Sequence, residues 1–229
     1  GLDHQNILGN SLKKIAKEKA GIIKNNIPTL VGPEIAQLEM LSKICKEKNA
    51  ELFKVDYEEN KITSKLPNYQ LNNWKTAKKA VNILNPEIFL NEEPLDYITL
   101  KGRWQIVEKN PKIILDIGHN TEGIKEIKKQ LRLEKYNSLH LILGFSNDKN
   151  LDEILKNLPE AKHIYLTKSK NERALDPEIL KTKLNKKTSL VFQDFKAAFL
   201  KLKGVANKDD LILVTGSAFL VSDILKEFY

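Results

Sequence analysis

Short apolar segments alternate with longer amphipathic ones through the second half of this 229-residue chain. The short segments have the length of buried strands, and the longer ones place their apolar residues at helical spacing. The strand-like segments are KIILDI, LHLIL, HIYLT, SLVFQ and DLILVT, and the helix-like segments are TEGIKEIKKQL, LDEILKNL, DPEILKTKL, FKAAFLKL and AFLVSDILKEF. Such alternation builds a mostly parallel sheet covered by helices. The sequence therefore predicts a doubly wound α/β domain.

The first part of the chain carries the same kind of alternation. A helix is predicted from Ser11, with Asn10 or Ser11 as its N-cap and Gly21 near its end. The strand IPTLVG, the helix PEIAQLEMLSKICKEKN, the strand AELFKV and a helix within LPNYQLNNWKTAKKAVNIL follow. Residues 85–102 hold two prolines and a terminal glycine without a sustained period, which is typical of a linker. We place a domain boundary near Asp96, which gives domains of residues 1–96 and 97–229.

The charge of the chain limits its partners. A formal net charge of +8 suits either nucleic acid or acidic small molecules. The lysines are scattered through amphipathic segments and interleaved with acidic residues, as on a solvated helix surface, and no basic block is interleaved with aromatics. We therefore expect a lysine-rich surface and no nucleic-acid partner.

The single cysteine and the short apolar runs indicate a compartment. Cys45 cannot form an internal disulfide, which points to a reducing compartment such as the cytoplasm. Its helical setting predicts a small buried hydrophobic side chain. The longest apolar runs, such as residues 211–214, are far too short to span a membrane, and no charged-then-apolar leader precedes them. We expect a soluble, unprocessed, cytoplasmic protein with no membrane partner.

Three polar turns follow predicted strands of the second domain, and they read DIGHN, GFSND and TGSAF. Ligands bind at the carboxyl ends of strands in doubly wound sheets, because helix N-termini and backbone amides converge there. Taken singly, Asp116 and Ser217 are ordinary turn and capping residues. Capping does not require His119, however, and all three turns should face one crevice. Together they predict a ligand site.

Arg103, in the stretch KGRWQIVEKN, allows two interpretations. It is either a surface charge on the linker or a planar fork that binds phosphate oxygens. The neighbouring Trp104, like Trp74, is expected to pack in a core or an interface, because large aromatic side chains usually bury their area.

Lys19 directly precedes Ala20 and Gly21 at the end of the first helix, fifteen residues after His4. If this lysine is buried, its ammonium is costly unless it is paired or its pKa falls. A neutral lysine can take up carbon dioxide as a carbamate, which supplies oxygen ligands for a hard cation such as Mg²⁺. The alternative is a lysine that reaches solvent, and spacing alone leaves both open.

The chain resembles a known family in five segments that occur in family order. They are GLDHQNILGNSLKKIAKEKAGIIKNNIPTLVG, the Gln-x-x-Asn of YQLNNWKTAKKA, the Gly-Arg of KGRWQ, the Asp-x-x-His-Asn of LDIGHN and the Gly-Ser of VTGSAFLVSDIL. This set is similar to the signatures of the folylpolyglutamate synthase and dihydrofolate synthase family, a branch of the Mur ligase superfamily. The resemblance runs from residue 1 to residue 225.

That resemblance implies a fold and a reaction. The first domain would be a remnant of a P-loop-type ATPase central domain, and the second a Rossmann-like glutamate ligase domain. Such enzymes use ATP and Mg²⁺ to phosphorylate a carboxylate and then let an amine displace the phosphate, which forms an amide. The implied substrates are dihydropteroate or a folate, L-glutamate and ATP, and a monomer is expected.

The resemblance also implies metal ligands and catalytic groups. His4 matches the histidine that binds magnesium, and Lys19 matches the lysine that is carbamylated in this superfamily. The catalytic residues would be Lys19, His119 and Asp116.

Ligand-binding roles follow in the same way. Asn73, Arg103 and Asp116 match residues that hold the nucleotide, with Arg103 directed at the phosphates. His119 and Ser217 match positions near the incoming glutamate.

Two departures from the family pattern are present. The turn after the first strand of the second domain reads Asp-Ile-Gly-His-Asn, where Asp-Gly-Ala-His-Asn is usual. No G-x-x-x-x-G-K-[ST] loop occurs, and that loop holds the nucleotide phosphates in this superfamily. We therefore expect a C-terminal fragment that does not turn over ATP alone. The alternatives are a Mur peptide ligase of cell-wall synthesis and a noncatalytic basic binding module.

Overall fold

The computed structural model of the protein describes residues 11–32, 35, 37–56, 67–88, 100–149, 151–185 and 188–229. The chain forms two compact units, Gly1–Ile98 and Thr99–Tyr229. The boundary expected near Asp96 lies outside the described residues. The assignment of residues 1–96 and 97–229 to an ATPase and a ligase domain stays a prediction.

The first unit contains three helices and two strands among its described residues. They are α1 (Leu12–Ala20), β1 (Thr29–Val31), α2 (Leu38–Glu47), β2 (Leu52–Lys54) and α3 (Asn68–Leu84). The two strands pair in parallel, with Thr29 opposite Leu52. This order agrees with the order expected from the sequence.

Local signals and a small core explain these elements. The Ser11 side chain accepts a hydrogen bond from the backbone N–H of Lys14 at 3.2 Å, so Ser11 is the N-cap of α1. Gly21 is the residue after its last turn. Cys45 is 1% exposed in a cluster with Ala20 and Leu41. The expected burial of this thiol is therefore confirmed.

The second unit is built around a six-stranded sheet. Its elements are β3 (Gln105–Lys109), β4 (Lys112–Leu115), α4 (Thr121–Leu131), β5 (Leu139–Leu143), α5 (Leu151–Lys156), β6 (His163–Leu166), α6 (Pro177–Leu184), β7 (Ser189–Val191), α7 (Phe195–Val205), β8 (Leu211–Thr215) and α8 (Ala218–Phe228). The strand order is β3-β4-β8-β5-β6-β7, and every pair except β3 with β4 is parallel.

Helices cover both faces of this sheet. Successive strand residues point to opposite faces, so Ile114, Leu141 and Leu143 pack with α4, α5 and α6. Ile113 and Ile142 face the other way and pack with α7 and α8. The predicted doubly wound α/β architecture is confirmed. Within the parts of the chain that the structure describes, no helix combines the length and apolar character needed to cross a membrane.

The antiparallel strand β3 has no counterpart among the elements expected from the sequence. It forms one edge of the sheet and pairs Gln105 with Leu115 and Lys109 with Lys112. Glu108 accepts hydrogen bonds at 2.5 Å from the Lys203 ammonium and from the Tyr229 hydroxyl. These contacts tie the edge strand to α7 and to the last residue of the chain.

A buried polar chain joins β5, β6 and the residue before β8 at the amino edge of the sheet. His140 is fully buried, and its Nε2 lies 3.2 Å from Oδ2 of Asp210. Its Nδ1 lies 3.1 Å from Nδ1 of His163. Burial alone would raise the pKa of Asp210, but hydrogen bonds from Asn207 and His140 outweigh it and the pKa lies below its ordinary value. A single hydrogen between the two Nδ1 atoms lets one imidazole donate and the other accept. A second hydrogen there would bring two N–H groups into contact.

We expect the stability of the second unit to fall as the pH is lowered from about 7.5 to about 5.5. Burial, followed by the neighbouring His140 and Lys162, lowers the pKa of His163 below its ordinary value of 6.5, and only Asp210 opposes this shift. Between the two pKa values the unfolded chain binds more protons than the folded chain does. The stability that depends on a neutral His163 is therefore fully present above pH 6.5 and is lost as the pH falls through the folded pKa. Urea unfolding at both pH values measures it.

The matched variant is His163→Gln, which can still donate an amide N–H to His140 but does not titrate. Its unfolding midpoint should depend less on pH than that of the unmodified protein. Equal pH dependence of the two proteins would contradict the prediction.

Candidate active site at the carboxyl edge of the six-stranded sheet

The three predicted polar turns lie at one edge of the sheet. They follow β4, β5 and β8, and β8 pairs with both of the other strands. The helix after β4 packs on one face and the helix after β8 on the other. Neighbouring strands that send their helices to opposite faces leave a crevice between the turns, and ligands of doubly wound proteins bind in such a crevice.

Asp116 lies at the end of β4 and is 2% exposed. Its Oδ1 accepts a hydrogen bond from the backbone N–H of Gly118 at 2.8 Å. Its Oδ2 accepts one from the backbone N–H of Trp104 at 2.9 Å. A buried carboxylate is stable when backbone donors satisfy it, so this side chain fixes the conformation of two chain segments.

Backbone hydrogen bonds join the turn after β4 to the turn after β8. The carbonyl of Gly118 accepts hydrogen bonds from the Gly216 N–H at 2.9 Å and from the Thr215 hydroxyl at 3.0 Å. Gly144 donates its N–H to the Thr215 carbonyl at 3.4 Å. The ends of β4, β8 and β5 are therefore held in one arrangement.

His119 is half-buried in the turn after β4. Its Nδ1 lies 3.0 Å from the carbonyl oxygen of Ile117. When the ring is neutral, a proton on Nδ1 is donated to that carbonyl, and Nε2 is left as the acceptor nitrogen. The turn thus selects the tautomer that presents a basic nitrogen away from the backbone.

Ser217 and Asn120 are both helix caps at this edge. Ser217 is 5% exposed and accepts a hydrogen bond from the Phe219 N–H at 3.1 Å at the start of α8. Asn120 accepts one from the Gly123 N–H at 2.8 Å at the start of α4. Two helix N-termini therefore open at the same edge, and their partial positive charge favours an anionic ligand.

Arg103 is exposed on a turn that is fixed to the same site. The preceding Gly102 accepts a hydrogen bond at its carbonyl from the Ile117 N–H at 2.8 Å. The following Trp104 donates its N–H to Asp116. Arg103, Asp116, His119 and Ser217 thus lie on turns that hydrogen bonds connect, while their functional roles stay predictions.

The site residues predicted in the first unit are Asn73, His4 and Lys19. Asn73 is exposed on α3, one turn after Gln70, which is 7% exposed. His4 lies outside the described residues. No group of three or more His, Cys, Asp or Glu among the described residues could hold a metal ion.

Of the two interpretations of Lys19 that the sequence left open, the structure shows the lysine that reaches solvent. Its side chain is exposed in the last turn of α1, where the helix dipole favours a cation, and Ala20 occupies the buried position instead. A carbamate on Lys19 therefore gains no support from burial and stays a prediction from the resemblance.

Three residues that shape the site were not found from the sequence. They are Gly102, Trp104 and Thr215, and they act through backbone conformation or through contacts across the sheet. Gly102 and Trp104 have positive φ angles of 71° and 52°. The only sequence signal for them is a glycine beside each candidate side chain, in Gly-Arg and in Thr-Gly-Ser.

This fold places its polar turns at the edge where doubly wound α/β domains bind their ligands. The chain belongs to the Mur ligase family, because residues 102–218 match the Mur ligase, glutamate ligase domain. The resemblance indicated by the sequence motifs is confirmed.

Curated relatives extend the similarity over nearly the whole chain. A dihydrofolate synthase/folylpolyglutamate synthase of Buchnera aphidicola subsp. Schizaphis graminum is 26% identical over 246 residues, which cover 98% of this chain and 59% of the relative. Its counterpart in Bacillus subtilis is 28% identical over 262 residues, which cover 99% of this chain and 60% of that protein. The chain thus spans less than two thirds of the length of either relative.

Solved structures have the same fold. One is the bifunctional folylpolyglutamate synthase/dihydrofolate synthase from Yersinia pestis, complexed with AMPPNP and Mn ion. It is 25% identical to this chain with a TM-score of 0.82, and the alignment covers 99% of this chain and 59% of the Yersinia pestis chain. Another is the folylpolyglutamate synthase of Mycobacterium tuberculosis, complexed with ADP and AMPPCP. It is 20% identical to this chain with a TM-score of 0.85, and the alignment covers 99% of this chain and 61% of the Mycobacterium tuberculosis chain.

Proposed function

We propose that the protein containing this chain is an ATP-dependent ligase that joins L-glutamate to the carboxylate of dihydropteroate or a folate. The observation that carries the proposal is the joining of the Arg103, His119 and Ser217 turns at one carboxyl edge, within a glutamate ligase domain. The names of the two relatives support the acceptor class, and the AMPPNP complex of the Yersinia pestis enzyme supports ATP.

The reaction has two bond-exchange steps. An oxygen of the acceptor carboxylate attacks the γ-phosphorus of ATP, and the bond to the bridging oxygen breaks as ADP leaves. The amine of glutamate then attacks the acyl carbon, the carbon–oxygen bond to phosphate breaks, and the nitrogen loses a proton. Both steps build negative charge on oxygen, so fixed cationic and N–H groups favour them.

Arg103 is proposed to bind the phosphates. Its guanidinium is exposed, and its backbone is held on both sides by hydrogen bonds to the turn after β4. A planar fork held in this way can bind phosphate oxygens with two parallel hydrogen bonds. Asn73, exposed on α3, is proposed to contribute to nucleotide binding from the first unit.

His119 and Ser217 are proposed to serve the incoming glutamate. Ser217 is the N-cap of α8, and the N-terminus of a helix carries partial positive charge. This end therefore suits glutamate, which is a dicarboxylate. The Nε2 of His119 is an acceptor when Nδ1 donates to Ile117, so it can take a proton from the attacking amine.

Mg²⁺ is part of the proposal and would neutralise charge on the phosphate oxygens when bound. His4 and Lys19 are the proposed ligands from this chain. The lysine side chain has no oxygen atom, so Lys19 can supply oxygen ligands only as a carbamate.

Cytoplasmic location and the absence of a nucleic-acid partner also belong to the proposal. The buried thiol of Cys45 suits a reducing compartment. Surface lysines alternate with acids, as in the ion pairs of Lys129 with Glu126 and of Lys156 with Glu153. Such pairs reduce the positive potential that a phosphate backbone would need.

Phosphate release by the full-length protein tests the proposal directly. We expect release from ATP only when Mg²⁺, L-glutamate and a pterin acceptor are all present. Dihydropteroate and tetrahydrofolate, assayed side by side, decide which acceptor is used. Turnover with a cell-wall nucleotide precursor, and none with either pterin, would instead favour a Mur peptide ligase.

Replacing Ser217 with alanine separates its capping role from substrate binding. We expect the variant to lose about 1 kcal/mol of stability and to show a KM for glutamate raised about tenfold. Ser11→Ala is the matched control, because it removes the N-cap of α1 but lies in the other unit. It should lose similar stability with an unchanged KM. An unchanged glutamate KM in Ser217→Ala would remove Ser217 from the site.

A further inference from the structure

The turn after β5 is one of the three turns that bound the crevice, and none of its side chains has a role in the reaction proposed above. Its first two residues, Gly144 and Phe145, contact the turn after β8. A Cβ added to Gly216 would lie 2.8 Å from the Gly144 carbonyl oxygen and 2.9 Å from a ring carbon of Phe145. Ser217, which is proposed to serve the incoming glutamate, directly follows Gly216. The turn after β5 therefore borders the proposed glutamate site.

The loop between β6 and α6 is paired with this turn. Residues 145–147 and 173–175 lie antiparallel, joined by an isolated bridge and by two backbone hydrogen bonds. In one of these bonds the Asn147 N–H donates to the Arg173 carbonyl at 2.9 Å. The side-chain oxygen of Asn171 accepts the Arg173 N–H at 3.0 Å. The backbone of Arg173 is thus held on both sides, next to the turn after β5.

The Arg173 side chain forms an ion pair with Asp148 on that turn. Nη2 of Arg173 lies 3.2 Å from Oδ2 of Asp148, and Nζ of Lys149 lies 3.9 Å from the same oxygen. The Arg173 side chain is 61% exposed and the Asp148 side chain 33% exposed. Ion pairs this exposed contribute little to folding stability, so the pair is not explained by the fold alone.

We propose that Arg173 is a positioning residue for glutamate binding, which holds the Asp148 carboxylate and offsets its negative charge beside the glutamate site. This inference rests on the proposed function. L-Glutamate brings two carboxylates, and an uncompensated carboxylate on a bordering turn would repel them. Arg173 adds a second cation to Asp148 and Lys149, so the three side chains together are positive and favour a dicarboxylate.

Glutamate kinetics of the full-length protein test this inference. Arg173→Ala leaves the Asp148 charge without its guanidinium partner, so we expect the KM for glutamate to rise about fivefold while the KM for ATP stays unchanged. Asp148→Asn alone should not raise the KM for glutamate, because it removes the repelling charge. An Arg173→Ala protein with an unchanged KM for glutamate would overturn the inference.

The double variant distinguishes charge compensation from direct binding. If Arg173 acts by offsetting Asp148, the Asp148→Asn/Arg173→Ala protein should recover most of the glutamate affinity that Arg173→Ala loses. If the double variant binds glutamate as poorly as Arg173→Ala does, Arg173 contacts the substrate itself and the inference is overturned. Arg173→Lys keeps the cation and should stay within about twofold of the unmodified protein, because this role requires a charge and not a planar fork.

Lys156→Ala is the matched control. It breaks an equally exposed ion pair, in which Lys156 Nζ lies 3.0 Å from Oε1 of Glu153 on α5, and it changes the net charge by the same amount. It should leave the KM for glutamate unchanged, and a rise equal to that of Arg173→Ala would assign the effect to net charge and overturn the inference. Failure of the proposed function looks different, because the unmodified protein would then release no phosphate with glutamate and a pterin acceptor.

Discussion

Replacing Gly216 with alanine is expected to lower the free energy of unfolding of the second unit by about 3 kcal/mol or more. Gly216 has a φ of 105°, a conformation that L side chains rarely adopt. An added Cβ would lie 2.8 Å from the Gly144 carbonyl oxygen and 2.9 Å from a ring carbon of Phe145. Phe145 is 1% exposed, so neither neighbour can withdraw without opening the core.

The strain extends to the next strand. A Cβ on Gly144 would lie 2.7 Å from the Thr167 carbonyl oxygen, so the Gly144 backbone cannot move away from Gly216 toward β6. The substitution therefore combines an unfavourable φ with a contact that two adjacent strands enforce. It also weakens the hydrogen bond from the Gly216 N–H to Gly118, which joins the turns of the candidate site.

Gly204→Ala is the matched control. Gly204 lies near the end of α7, and a Cβ there would meet nothing within 4 Å. Alanine should raise stability by about 0.5–1 kcal/mol, because glycine is a poor helix former. Denaturant unfolding followed by Trp104 fluorescence in a Trp74→Phe background measures both changes. A Gly216→Ala protein as stable as the control would show that the turn after β8 tolerates a side chain.

The elements of the second unit could be predicted because their patterns are local. In α4, Ile124, Ile127 and Leu131 recur at helical spacing, and all three are buried. The predicted and observed bounds of this helix agree. Each parallel strand is a short apolar run, since both faces of a covered sheet exclude water.

The edge strand β3 could not be predicted because it depends on its partner. Its residues alternate without a strong apolar signal, and Ile106 is 48% exposed. Pairing with β4, with a register shift between Ile106 and Glu108, makes it a strand. A two-stranded pairing at a sheet edge is set by hydrogen bonds that the sequence does not display.

The site was only partly predictable for the same reason. Strand ends identify Asp116, His119 and Ser217, because polar residues after apolar runs are visible in the sequence. The bond from Thr215 to the Gly118 carbonyl joins residues 97 positions apart. A φ of 52° at Trp104 follows from such tertiary contacts and not from the residue type.

Arg103→Ala should give the largest loss of activity, lowering kcat/KM for ATP by about 10²- to 10³-fold in the full-length protein. The guanidinium is exposed on a turn whose backbone is fixed at Gly102 and Trp104, so the position from which the side chain extends is set before the ligand arrives. Truncating an exposed side chain removes little packing, so stability should change by less than about 0.5 kcal/mol. Phosphate release and urea unfolding measure the two effects separately.

Two further variants separate charge from geometry at this position. Arg103→Lys keeps the positive charge but loses the planar fork, so we expect an intermediate loss of about tenfold. Arg132→Ala removes an exposed arginine at the end of α4 and should leave both kinetics and stability unchanged. If Arg103→Lys is as slow as Arg103→Ala, the site requires two parallel hydrogen bonds and not the charge alone. If Arg103→Ala is as fast as Arg132→Ala, the phosphates bind elsewhere.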